Sequence, residues 1–172
     1  LSIGELLAER AARGVDVRVV LNATPVPVNP WRENRAAWRW LCARPALAGR
    51  AVLDRAGLLL YGTQHQKVLV VRAAGEVIAF ATGMDFVPDH HDRRPYSDKR
   101  WTDGTAWGWH DAAVRVEGPA VRGLWDNFAA CWARATRSGP GLPPMPPCPP
   151  IGAVPSSHVA QVLRASVGRG AA

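Results

Sequence analysis

The chain has 172 residues, 48% of them apolar, and a formal charge of +7. That excludes a disordered polar tail and is enough to bury one core, and no apolar run approaches the ~18 residues that span a bilayer. The excess charge is carried by scattered Arg, which fits an anionic partner such as a phosphate ester, nucleic acid or a lipid surface, or a compositional bias toward Arg, Ala, Gly and Pro.

Ser2 and Glu5 form a capping box ahead of Ile3, Leu6, Leu7 and Ala11, which share one helical face, and Gly14 stops the helix. A strand is predicted over Val15–Leu21, and Pro25, Pro27 and Pro30 make the next segment a loop. An amphipathic helix over Glu33–Arg44 ends at Pro45, and the runs RAVLD and LLLY read as short strands. Helix, glycine, strand in that order belongs to an α/β layer fold. Two strands follow, Lys67–Val71 and Val77–Ala81, closed as a hairpin by the run RAAGE with its Gly in the left-handed place. Val68 to Val71 are apolar on both faces, as in a strand covered from two sides.

A long polar loop occupies Val87–Gly108, and a loop of that length in a compact domain is usually either functional or disordered. A strand over Trp109–Gly118 leads into a helix from Pro119 to Arg137, whose apolar face is Val121, Leu124, Trp125, Phe128, Cys131 and Trp132. Residues 139–156 form a Pro-rich linker, and 157–172 resume a strand pattern that reads as the start of a truncated second half. The first residue is Leu, so the chain is expected to be a piece of a longer protein. The three cysteines, Cys42, Cys131 and Cys148, are far apart and lack a C-x-x-C, which argues against a disulfide framework, and Cys42 and Cys131, inside apolar helix patterns, read as small core residues.

His65 and Lys67 stand two apart at the start of the hairpin, so in extended chain they project together. The return of the second strand brings Asp85 back toward them, and Asp111 follows on the next strand. These types suit phosphoryl chemistry: an imidazole attacks phosphorus, an ammonium neutralises the equatorial oxygens, and a carboxylate fixes the imidazole tautomer. One histidine cannot be nucleophile and general acid in the same step, so a second is required. His90, His91, Asp92 and His110 fit no metal-ligand spacing. Trp101, Trp107 and Trp109 either line a lipid entrance or pack the long loop onto the domain.

Read in order, the pieces resemble the phospholipase D superfamily, with its H-x-K-x4-D and G-G/S-x-N/D runs. HQK supplies His65 and Lys67, TGMD supplies Thr82, Gly83 and Asp85, and Trp109–Val121 resembles the strand and helix that follow in bacterial phospholipase D and cardiolipin synthase-like members. The resemblance implies a mixed β-sheet flanked by helices, the first half (1–138) of a two-half enzyme. It implies catalytic roles for His65, Lys67, Asp85 and Asp111, substrate contacts from Thr82, Gly83, Trp109 and His110, and no metal or other cofactor. The implied activity is a phosphodiesterase or phosphatidyltransferase acting on phospholipid through a phosphohistidine. The implied partners are that lipid, a membrane surface, and a second H-x-K half in the same chain or in a homodimer. A cytoplasmic or membrane-associated address is expected. Nucleic acid is the weaker partner; the alternatives are a dimeric nuclease of the superfamily and a non-catalytic anion-binding remnant. Arg72 stands where the motif has Asp, Thr82 where it has its first Gly, and the hairpin turn reads about three residues longer than the common spacing.

Overall fold

The computed structural model describes residues 2–23, 30–55, 65–86, 111–137 and 141–145. The predicted LLLY strand, the polar loop with His90, His91 and Asp92, the indoles of Trp101, Trp107 and Trp109, His110, Cys148, most of the linker and the final strand pattern lie outside the described residues. The class is mixed α/β. In chain order come α1 (Ile3–Ala12), β1 (Val19–Asn22), α2 (Pro30–Cys42), β2 (Ala51–Asp54), β3 (Lys67–Ala73), β4 (Glu76–Thr82), β5 (Ala113–Val116) and α3 (Val121–Thr136). Instead of one mixed sheet, the described strands make two small ones, a parallel pair β1-β2 and an antiparallel β3-β4-β5.

The chain divides into two compact units, Leu1–His65 with Asn127–Pro144, and Gln66–Asp126 with Met145, besides residues outside the described set. In the first, α1 starts on the full capping box: Glu5 N–H donates to Ser2 Oγ at 3.2 Å and Ser2 N–H to Glu5 Oε2 at 2.7 Å. Those hydrogen bonds, the backbone one first, lower the Glu5 pKa. The predicted strand from Val15 begins only at Val19, because its partner β2 offers four residues, Val19 opposite Ala51 to Asn22 opposite Asp54. Residues ahead of it are held otherwise, with Asp16 paired to Arg18 at 2.7 Å and to Arg50 at 3.2 Å. Helix α2 crosses between the parallel strands and starts three residues earlier than predicted, at Pro30, whose fixed φ suits a first turn. Trp38 Nε1–H donates to the Ala51 carbonyl at 3.0 Å, and Leu41, Leu47, Ala51, Ala11 and Val17 close the core. Cys42 is half-buried beside it, and burial raises its thiol pKa.

Asp54, at the end of β2, is 0% exposed. It accepts from Arg134 of α3 twice, Nη2–H to Oδ2 at 2.5 Å and Nε–H to Oδ1 at 3.2 Å. The hydrogen bonding to Asp54 also raises the Arg134 pKa. A forked guanidinium matches both carboxylate oxygens, which is how a buried charge becomes tolerable. Two residues earlier in α3, Trp132 is buried under Arg18, whose guanidinium lies 5.2 Å from the ring centroid.

In the second unit the hairpin strands extend further than predicted, from Lys67 to Ala73 and from Glu76 to Thr82. The turn is therefore two residues, Ala74 and Gly75, with φ of 50° and 85°. Positive φ at both central positions is the signature of the tight hairpin turn whose twist matches the strands. The turn is thus short, and the five-residue reading of RAAGE fails because Arg72, Ala73 and Glu76 remain in the ladder. One face of the sheet, Val68, Val70, Val77, Ala79, Ala81 and Val116, packs on Val121 and Leu124 of α3 and on Met145. On the other face, among the described residues, Ile78 and Phe80 are half-buried, but Leu69 is 51% exposed and Val71 is exposed beside it, so β3 is not covered from two sides as expected. The last helix matches its predicted apolar stripe, with Val121, Leu124, Cys131 and Trp132 buried, after a short 3-10 turn that holds Pro119.

Two substitutions test these contacts. Arg134→Ala removes the guanidinium from a fully buried carboxylate and should cost about 3 kcal/mol, read as a lower urea midpoint at unchanged m-value. Ala74→Asn, which enters the left-handed region more readily than alanine, should raise stability by about 0.5–1 kcal/mol in the same assay.

Candidate functional site

The hairpin register places Lys67, first in β3, opposite Thr82, last in β4. On the far side of Thr82 lies Ala113, first in β5. Three strand ends thus meet along one edge, and the residues that continue from them carry the chemistry. Gly83 N–H donates to the Ala112 carbonyl at 3.1 Å, extending the β4–β5 ladder by one more bond. The chain then turns at Met84, whose N–H donates to the Thr82 hydroxyl at 2.9 Å. That turn returns Asp85, and Oδ2 reaches the Lys67 ammonium at 3.1 Å. Lys67 is largely shielded, its side chain 12% exposed, whereas Asp85 is 40% exposed. A mostly buried ammonium needs a nearby counter-charge, and Asp85 is one that faces it.

Asp111, two residues before β5, lies against Gly83. A Cβ on residue 83 would stand 2.6 Å from Asp111 Oδ1, inside van der Waals contact. Position 83 is glycine because a carboxylate occupies the space a side chain would take, a reason distinct from backbone freedom. Lys67 meets Asp85, and Gly83 meets Asp111, where the ends of β3, β4 and β5 lie side by side. His65 is exposed and stands two residues before Lys67, just ahead of β3. Trp109 and His110 lie outside the described residues.

Arg72, which takes the place of the motif Asp, pairs across the hairpin with Val77, beside the turn. Five residues of strand, about 16 Å, separate it from Lys67, and it is exposed. The substitution sits at the end of the strand remote from the Lys67–Asp85 pair. Sequence reasoning missed the Asp54–Arg134 pair entirely. The partners are 80 residues apart, and an Asp that ends an apolar strand has no local mark of a distant arginine.

The chain is distantly similar to phospholipases D. It is 22% identical over 177 residues to phospholipase D gamma 1 of Arabidopsis thaliana, a match covering 79% of this chain and 21% of that protein. To phospholipase D gamma 3 of the same plant it is 20% identical over 151 residues, covering 74% of this chain and 17% of the relative. The chain spans about a fifth of the length of the curated relatives it matches. No family model matches it, and no solved structure does. The similarity supports the phospholipase D superfamily and an enzyme-like relationship to its hydrolases.

Gly83→Ala tests the close approach. The new methyl must push the Asp111 carboxylate aside, so a crystal structure of the variant should show that side chain rotated while the β3–β4 register holds. The expected fall in stability is small, about 1 kcal/mol or less, since a short side chain and not backbone has to give way.

Proposed function

We propose that the intact protein cleaves or transfers the phosphodiester of a phospholipid through a phosphohistidine. The single observation that carries this is the Lys67–Asp85 pair at the sheet edge, at the point in the chain where H-x-K and the TGMD run converge. The distant similarity to two phospholipases D supports phospholipid as the substrate class.

In this reading the His65 imidazole attacks phosphorus and the bond to the leaving alcohol breaks. The alkoxide takes a proton from a second histidine, supplied by a further H-x-K half in the same chain or by a homodimer partner. Lys67 faces the non-bridging oxygens and stabilises the charge that builds on them in the transition state. Asp85 holds that ammonium in place. Asp111 supports the imidazole by accepting its other N–H. Water or an alcohol, deprotonated by the second histidine, then displaces His65 and completes hydrolysis or transfer. The residues that carry the steps are side chains of the protein, with no metal or other cofactor in the scheme. A lipid membrane surface is the partner through which such a substrate is reached.

The full-length protein should release headgroup from phosphatidylcholine vesicles. His65→Ala should lower turnover by at least about 10³-fold, the scale set by loss of a nucleophile, and Lys67→Ala by about 10²-fold, the scale of one lost charge-stabilising group. Headgroup release is followed by choline assay. An H65A variant that keeps wild-type turnover would falsify the proposal.

A further inference from the structure

The residue before Gly83 carries more than a place in a run. Thr82 is last in β4 and directly opposite Lys67. Its hydroxyl accepts the Met84 N–H at 2.9 Å, a side-chain-to-backbone bond two residues on that mimics a backbone turn. This bond bends the chain immediately after the ladder ends. One residue later Asp85 reaches across to the Lys67 ammonium at 3.1 Å. Without a hydroxyl at position 82 nothing on that side chain can hold the Met84 N–H, and the segment from Gly83 to Asp85 has one fewer reason to turn toward β3.

We infer that Thr82 is a positioning residue: its hydroxyl sets the turn that aims Asp85 at Lys67, and through that pair it sets how strongly Lys67 binds an anion. The inference rests on the reading of Lys67 as the phosphate-facing group. It assigns Thr82 a role through Asp85, in place of the direct substrate contact expected for that position. The physical consequence has a sign. A carboxylate held on the ammonium competes with a phosphate for the same N–H donors and repels it. Loosening Asp85 therefore strengthens ground-state binding of phosphate. It also lets the ammonium wander from the transition-state oxygens, so turnover falls. A merely structural lesion would weaken binding and turnover together.

The test is calorimetric titration of inorganic phosphate into the full-length protein, wild type and variants, with phosphatidylcholine turnover beside it. Asp85→Asn and Thr82→Val should each tighten phosphate binding about two- to fivefold, the scale of one partly exposed ion pair, while kcat falls. Thr82→Ser, which keeps the hydroxyl, should return both values to wild type. In the Asp85→Asn background, Thr82→Val should add nothing further, since the two act through one contact. Thr82→Ala, with less bulk, is the second variant should valine disturb the strand, and it should behave as valine does. Weaker or unchanged phosphate binding in folded T82V and T82A, or an effect that adds to that of D85N, overturns the role of Thr82. Lys67→Ala separates the two readings. If it leaves phosphate binding intact, the assignment of Lys67 fails and takes this inference with it. If it abolishes binding while the Thr82 variants do nothing, only the Thr82 inference fails.

Discussion

Everything at the candidate site depends on the register of one hairpin. A two-residue turn at Ala74 and Gly75 pairs Ala73 with Glu76 and, six positions on, Lys67 with Thr82. Side chains alternate along a strand, so a slip of one residue would send Lys67 to the face that packs on Val121 and Leu124. It would also carry Asp85 away from the ammonium. The apolar residues on the packed face, Val68, Val70, Val77 and Ala79, make that slip costly, because each would exchange a buried place for an exposed one. Register at the site is thus enforced from the turn at one end and from the core along the whole length.

The other unit is stabilised by different means. Its parallel pair of strands is only four residues long, too short for a ladder to be its main support. A helix crosses between those strands and lays Trp38 and Leu41 on them. A buried carboxylate is then met by an arginine: Asp54 and Arg134 share two hydrogen bonds. Such a pair adds little net stability over an apolar packing of the same shape, yet losing one member is expensive. Its value lies in admitting one placement of the arginine-bearing stretch of α3 against β2 and few others.

At the site the chemistry and the packing share residues. Gly83 is small because the Asp111 carboxylate lies over it, and Lys67 is shielded but paired with Asp85. Charged groups in partly dry surroundings act strongly on a reacting phosphate, and they need a scaffold that holds them without rearrangement. Three strand ends side by side are such a scaffold.

Much of this was legible in the residue order. Two apolar runs around a Gly-bearing turn mark the hairpin, and 3.6-residue spacing marks α1 and the apolar stripe of α3, because those patterns depend on near neighbours alone. The capping box at Ser2 and Glu5 is equally local. The hairpin pattern also brings the end of the second strand back beside Lys67, since hairpin geometry returns a chain to its own start. Where strands begin was less legible. Val15 to Arg18 look like strand, but β1 waits for Val19, where a partner 32 residues further along the chain becomes available. The length of the turn after Arg72 was misjudged because Ala74 accepts a positive φ that its side chain disfavours. Contacts between distant residues leave no local trace, so only the tertiary structure decided that Asp54 meets Arg134, that Asp111 lies over Gly83, and that Leu69 and Val71 remain exposed. Residue order determines what each short segment tends to do, while the partner each side chain finds depends on packing that the whole chain must satisfy together.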